Sequence, residues 1–290
     1  MPKMTRKEFI KFTTAVALEL LLRNGEASAQ VIEKKSGIPV IMYHNVTPKD
    51  SELTPEQFEM QMRVLNSLGF KTITSQEATN CLQRGELPRG RIILTIDDIA
   101  NPQNYSIDRL TPTYQDWNKH MRPTLEKYGF TATLGVVTGN IPERNNNGWS
   151  WEEIRKLYRQ GYEIASHSKT HDIRMNKGEL PKEGFLREFQ ESSDEIKQKC
   201  GTAPIAYIWP FGAIYHERDA KGIYNVLYTV WEKGALIIKE QLISVPRYHP
   251  DLHKQEDDFT RTFGPYAELG TGGPIEKPPQ NKFGRIRNPL

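Results

Sequence analysis

Runs of β-branched and apolar residues alternate with amphipathic stretches along most of this chain. Ile38–His44 ("IPVIMYH") is apolar, bounded by Pro39 and by the turn residues of "NVTPKD", and predicts a buried strand. "TPEQFEMQMRVLNSLGF" then offers Thr54 as N-cap and Pro55 at the first helical position, with Phe58, Met62, Leu65 and Leu68 at helical spacing and Gly69 as the stop. "KTIT" predicts a short strand, "SQEATNCLQRG" a capped helix, and "RIILTI" a buried strand that ends at Asp97-Asp98. The pattern repeats through helix "MRPTLEKYGF", strand "TATLGVV", helix "SWEEIRKLYRQG", strand "YEIAS", helix "GFLREFQESSDEIKQKCG" and strand "IAYIWP".

Such alternation predicts an α/β fold with a parallel sheet wrapped by helices, either an open doubly wound sheet or a (β/α) barrel. In both, ligands gather where the carboxyl ends of the strands converge. The residues at those ends are His44, Asp97, Asp98, His167, His171 and the segment "WPFG". Residues 1–30 read as an export signal or N-terminal anchor, residues 36–250 as a catalytic domain, and 251–290, rich in proline and glycine, as an irregular tail.

Composition narrows the class. Of 290 residues 37% are hydrophobic and 26% charged, as in a globular chain, and a net charge of +3 with interspersed signs gives no continuous footprint for nucleic acid. Cys81 and Cys200 are too few and too distant for a disulfide framework. Near the N-terminus Lys3, Arg6, Lys7 and Lys11 precede an apolar stretch and the small-x-small pattern Ala27-Ser28-Ala29, the order of a secretory signal. "TRKEFIK" also resembles a twin-arginine signal with Lys7 at the second arginine. Glu19 interrupts the apolar stretch, so an amphipathic helix is the competing reading. Either way no later run is long enough to span a membrane, and the expected location is secreted or cell envelope.

The candidate chemistry sits in "HSKTH". His167 and His171, four apart, fit a surface loop as well as a metal site. Asp97 and Asp98 point to opposite faces while a strand stays regular and meet at one site only where the chain turns; a helix cap is their other reading. Together the four supply a two-histidine, one-carboxylate set that leaves open positions on a divalent cation, with an aspartate to spare as general base.

These residues resemble the polysaccharide deacetylases, carbohydrate esterase family four. The family's Thr-Phe-Asp-Asp motif appears as Thr95-Ile96-Asp97-Asp98, and His-Ser/Thr-x-x-His appears as His167 to His171. The resemblance implies a distorted (β/α) barrel, a divalent metal, zinc, on Asp98, His167 and His171, and Asp97 as the base. It assigns the oxyanion to the backbone amide of Phe211, in "IWPFG", where Ile208 replaces the family's arginine. A similar "WPFG" is associated with the biofilm branch that deacetylates poly-β-1,6-N-acetylglucosamine. That branch is circularly permuted, and its early histidine motif matches Met42-Tyr43-His44, making His44 the general acid to the departing amine. A strand-end histidine satisfied by the backbone is the other reading of His44, and His216 and His249 are weaker alternatives for its role.

Arg247 either supplies the missing arginine's charge or is an exposed loop residue. Ile99 and Ala100 stand where the family usually turns on glycine, which raises the question of an impaired or rebuilt site. The expected partner is an acetylated polysaccharide or oligosaccharide, with Trp149, Trp151, Trp209 and Tyr105 as candidate sugar-stacking rings, although rings of this kind are more often core. A non-catalytic glycan-binding protein on this scaffold and an O-acetyl esterase are the alternatives.

Overall fold

The computed structural model describes residues 37–48, 53–86, 89–101, 112–146, 148–230, 245–249 and 255–267. The export-signal expectation on residues 1–30 therefore lies outside the described residues. Among the described residues the sheet has eight strands: β1 Val40–Tyr43, β2 Lys71–Thr72, β3 Arg91–Ile99, β4 Thr133–Val136, β5 Glu163–Ser166, β6 Ala206–Ile208, β7 Val226–Thr229 and β8 Val245–Pro246. All neighbours pair in parallel in the order β1-β3-β4-β5-β6-β7-β8, with β2 off this path beside the start of β3. Beyond β8 the chain returns to β1, where Met42 N–H donates to Tyr248 O (2.9 Å) and Tyr248 N–H to Val40 O (2.8 Å). The sheet thus curls into a barrel, which decides between the two architectures the alternation allows.

Helices cover the outside. Helix α1 (Pro55–Ser67) starts in a capping box in which Thr54 and Gln57 exchange side-chain and backbone bonds, and α2 (Ser75–Gln83) repeats the device with Thr74 and Glu77. Helix α3 runs through Tyr114–Asp116, a π-helical stretch Trp117–Met121 and Arg122–Lys127. Then come α4 (Trp151–Arg159), the short α5 (Arg174–Lys177), α6 (Lys182–Cys200) and α7 (Glu217–Ala220). Residues 255–267, assigned from sequence to an irregular tail, instead carry helix α8 (Glu256–Phe263). Phe259 and Phe263, one turn apart, are fully buried, and Glu256 pairs with Arg63 of α1 at 2.8 Å. Apolar burial at helical spacing outweighs the proline and glycine that follow. Among the described residues no helix is long and apolar enough to cross a membrane.

Side-chain alternation sorts the strands into two faces. Ile92, Leu94 and Ile96 of β3 pack under the helices with Phe58, Leu125 and Ile154, whereas Ile93 joins Val40, Ala165, Ala206, Ile208 and Val226 inside the barrel. Continuing the inward rows by two places reaches His44 after Met42, Asp97 after Thr95, His167 after Ala165 and Arg247 after Val245. The barrel's interior is therefore apolar in its middle layer and ionisable at its carboxyl-end mouth, while at the opposite end Glu163 accepts from Ser75 and Thr133.

Candidate metal centre

Asp98 breaks the alternation. Pairing of β3 with β4 shifts register between Ile96 and Ile99, and Asp98 has φ 60°, so the chain kinks where a regular strand would turn this carboxylate outward. Both aspartates consequently face the mouth. Asp98 Oδ1 lies 3.4 Å from His167 Nε2 and 3.2 Å from His171 Nε2, and all three residues are buried. Metal–ligand bonds of about 2.0–2.2 Å at tetrahedral angles separate neighbouring donors by about 3.3 Å, so one zinc-sized ion fits this spacing. His167 Nδ1 is 2.9 Å from the Ile208 carbonyl, which can only accept, so Nδ1 carries the proton and Nε2 presents its lone pair to the mouth. Burial pushes His171 down to about 4, which keeps its ring neutral at neutral pH. Burial opposes ionisation of Asp98, but in acid, when the neighbouring imidazoles are protonated, a bond from His167 and the two positive charges outweigh it and hold its carboxyl well below the usual range. An anionic carboxylate and two imidazoles, one of fixed tautomer and one kept neutral, form a donor set suited to a divalent cation.

Asp97 and His44 flank that set. Asp97 is 2% exposed, and burial raises its pKa, yet Arg247, His167 and His44 together bring it below the ordinary value. Arg247 makes the closest of these contacts: Nη1 donates to Asp97 Oδ1 at 2.6 Å and to Thr95 Oγ1 at 2.9 Å, while Nε donates to the Thr229 carbonyl at 3.2 Å. Its side chain is 0% exposed, so Arg247 is no loop arginine but the interior cation of the barrel. His44 Nε2 stands 4.0 Å from Asp97 Oδ2 and 3.9 Å from Asp98 Oδ2. The next residue, Asn45, is tied down by a 3.2 Å bond from its Nδ2 to Asp116 of α3. At 15% side-chain exposure His44 is the most accessible of this group, at the outer edge of the mouth.

Phe211 belongs to a 3₁₀ turn, Pro210–Gly212, entered directly from β6, and takes φ 59°. Its ring packs on His171 with centroids 4.5 Å apart. Ile208, in the position of the absent arginine, points inward over β4. A Cβ added at Gly135 would lie 2.9 Å from Ile208 Cδ1 and 3.5 Å from both Asp97 Cα and His167 Cβ. A bare backbone at 135 and an aliphatic chain at 208 thus leave the interior to the guanidinium from β8. Ile99 is buried, carries no positive φ, and pairs with Val136; the left-handed residues here are Asp98 and Ala100 (φ 62°). Replacing glycine at 99 therefore does not strain the chain at that residue.

Two of the candidate stacking rings take the core reading. Trp151 and Trp209 are each 1% exposed and belong to the packed clusters outside the sheet. Trp149 is partly buried, with Nε1 donating to the Pro112 carbonyl at 3.0 Å, and Tyr105 lies outside the described residues. His216 sits beside Asp219 at 3.7 Å, at the start of α7.

A family model described as polysaccharide deacetylase matches residues 84–225, a span that contains both aspartates and both histidines. Residues 84–225 are thus a polysaccharide deacetylase domain. Two further comparisons agree with this assignment. The Bacillus subtilis protein YxkH is 28% identical over 173 residues, 59% of this chain and 55% of that protein. The poly-β-1,6-N-acetyl-D-glucosamine N-deacetylase of Staphylococcus aureus is 22% identical over 181 residues, 59% of this chain and 57% of that enzyme. The matches span little more than half the length of these curated relatives. Among solved structures, the Streptococcus pyogenes deacetylase PplD superposes with a TM-score of 0.62 at 20% identity, covering 78% of this chain and 97% of that one. IcaB from Ammonifex degensii gives 0.61 at 18% identity, covering 79% and 98%. These likenesses show the deacetylase barrel fold.

Residues that sequence reading did not assign also shape this deacetylase-family site. The Ile208 carbonyl acts through main chain and leaves no side-chain signature. Gly135 looks like an ordinary strand glycine until its neighbours are known. Glu188 and Ser192 of α6 share a helical face with the buried Phe185 and Phe189, and a polar pair one turn apart on an apolar stripe was the available signal.

Proposed function

We propose that this protein is a divalent-metal-dependent N-deacetylase of an N-acetylglucosamine polymer, with zinc the expected ion, exported to the cell envelope or beyond. The observation that carries this reading is the convergence of Asp98, His167 and His171 on one point of the barrel mouth, with Asp97 and His44 within about 4 Å of Asp98 or of each other. A cation held by those three residues supplies Lewis-acid polarisation of the acetamide carbonyl and makes water a better nucleophile. Asp97, kept ionised by Arg247, takes the proton from the attacking water. The backbone N–H of Phe211 donates to the oxyanion that forms on the carbonyl oxygen. His44, at the accessible edge, gives its proton to the departing amine as the carbon–nitrogen bond breaks, so that acetate and a free amino sugar leave. The polymer assignment draws on the Staphylococcus aureus relative, whose own substrate is in its name, and on the early position of His44.

The test is acetate release from β-1,6-linked N-acetylglucosamine oligomers and from O-acetylated xylan, by chelated protein, zinc-reconstituted protein and Asp97→Asn. Zinc-dependent release from the amide substrate, lost in D97N, is the expected result. Release from xylan alone moves the function to an esterase. Zinc binding without release from either substrate moves it to glycan binding.

A further inference from the structure

The loop that carries both histidines is held by α6, and the way it is held goes beyond the ligands themselves. Ser168 and His171 adopt φ 71° and 54°, a left-handed conformation that costs a residue with a Cβ about 1–2 kcal/mol, so something must fix it there. Each backbone N–H from 168 to 171 meets an acceptor. Ser168 N–H donates to Ser166 Oγ at 3.2 Å and His171 N–H to Ser168 Oγ at 2.9 Å. The two between them, of Lys169 and Thr170, both donate to Glu188 Oε2 at 2.8 Å. Thr170 Oγ1 donates to the other oxygen, Oε1, at 2.7 Å. Successive amides wrapped around one oxygen make an anion-binding concavity, and here the anion is a side chain of the same protein, 8% exposed.

The other side of the loop is closed by main chain. Thr138 N–H and Gly139 N–H donate to the carbonyls of Ser168 and Lys169 at 3.2 and 2.7 Å, and a Cβ at Gly139 would meet Lys169 O at 2.5 Å. The loop is thus set between an unyielding backbone and the Glu188 carboxylate. Ser192 and Glu195, one and two turns along the same face of α6, add bonds to Ser166 Oγ and Lys169 Nζ at 2.7 Å each.

We propose that Glu188 is the positioning residue of the metal centre: its carboxylate holds the 168–171 loop in the one conformation that brings His171 Nε2 and His167 Nε2 to the same Asp98 oxygen. The inference rests on the metal reading above. Glu188 touches neither donor atom nor substrate; it acts through the loop. Outer residues that orient metal ligands typically contribute about 10–100-fold in metal affinity, and Glu188 belongs in that range.

The experiment is competitive zinc titration against a chromophoric chelator for wild type, Glu188→Ala, Glu188→Gln and Lys169→Ala, with thermal unfolding of each metal-free protein alongside. E188A is expected to weaken zinc about 10–100-fold. E188Q keeps an oxygen for the two amides and loses the charge; it is expected to weaken zinc about threefold to tenfold, less than the full range for loss of such a residue. K169A, which removes only the outer contact to Glu195, is expected to leave zinc affinity unchanged. Zinc affinity in E188Q equal to wild type, with E188A either equal as well or unable to fold, overturns the inference and leaves Glu188 a stabilising contact only. A wild-type chain that binds no zinc overturns the metal reading first, and this inference with it.

Discussion

Arginine 247 is the sharpest point at which to test the site. In Arg247→Met the chain keeps its aliphatic bulk, while Asp97 loses its 2.6 Å partner and Thr95 and the Thr229 carbonyl lose one bond each. Both members of the pair are buried, at 0% and 3% side-chain exposure, so solvent replaces almost none of the loss. Removing one partner of such a pair costs about 3–5 kcal/mol, most of it the penalty of a stranded charge. Asp97 has a folded pKa below its ordinary value, so the pair stabilises the fold above about pH 3.9 and that contribution disappears as the pH falls through the depressed value. In R247M burial acts on Asp97 with less opposition, its pKa moves up, and the acid limb of kcat/KM for acetate release moves to higher pH. Urea denaturation at pH 7 and a pH–rate profile read the two effects. The double variant R247M with Asp97→Asn supplies the cross-check, because no unpaired carboxylate remains and it should recover a large part of the lost stability. A stability loss under about 1 kcal/mol together with an unmoved acid limb would refute the reasoning, since a buried pair costs several times that to break.

Saturating the protein with zinc at about 100 times its Kd should raise stability by about 2.7 kcal/mol, and His171→Ala should abolish the shift, read by thermal unfolding with and without chelator. The metal-free protein should lose stability as pH falls from about 6.5, where an unfolded histidine charges, toward 4, where buried His171 does, because the unfolded chain binds the extra proton across that window; a flat profile in chelator at pH 7, 6 and 5 would contradict it. Gly135→Ala should destabilise by about 1 kcal/mol, read by urea denaturation, because its Cβ would stand 2.9 Å from Ile208 Cδ1, the end of a side chain that can shift, and at ordinary contact distance from the Asp97 backbone. Ala100→Gly should be neutral to stabilising by up to about 1 kcal/mol by relieving φ 62°, measured by urea denaturation.

The sequence announced what is local. Strand and helix periods, the Thr54 cap, the Asp97-Asp98 pair and the His167–His171 pair each depend on residues within a few places of one another, whereas the choice of a barrel came from the family resemblance. The kink at Asp98 was foreseen only as the condition under which two adjacent carboxylates share a site; its left-handed φ and register shift appear in the fold. Arg247 was harder to place. It reaches Asp97 from 150 positions away, and Pro246 beside it masks the period-two pattern that would have marked it as inward-facing. Helix α8 was hidden by its proline-rich surroundings, and Trp151 and Trp209 are core because each meets a buried cluster under the helices, Trp209 against Phe189 and Tyr207.

The closure between β1 and the Tyr248 segment joins the first described strand to one more than 200 residues later. The two residues that complete the site around the histidines and aspartates, His44 and Arg247, stand on opposite banks of that seam. A partly opened chain can therefore keep Asp98, His167 and His171 together with the Glu188 and Ile208 groups that hold them, all within the stretch from β3 to β6, while His44 and Arg247 are still apart. Contacts of such long separation form late and part early. On the function proposed above, ion capture and catalytic competence become separable events in the life of the molecule, and wear at the seam would silence chemistry while leaving the ligand set in place.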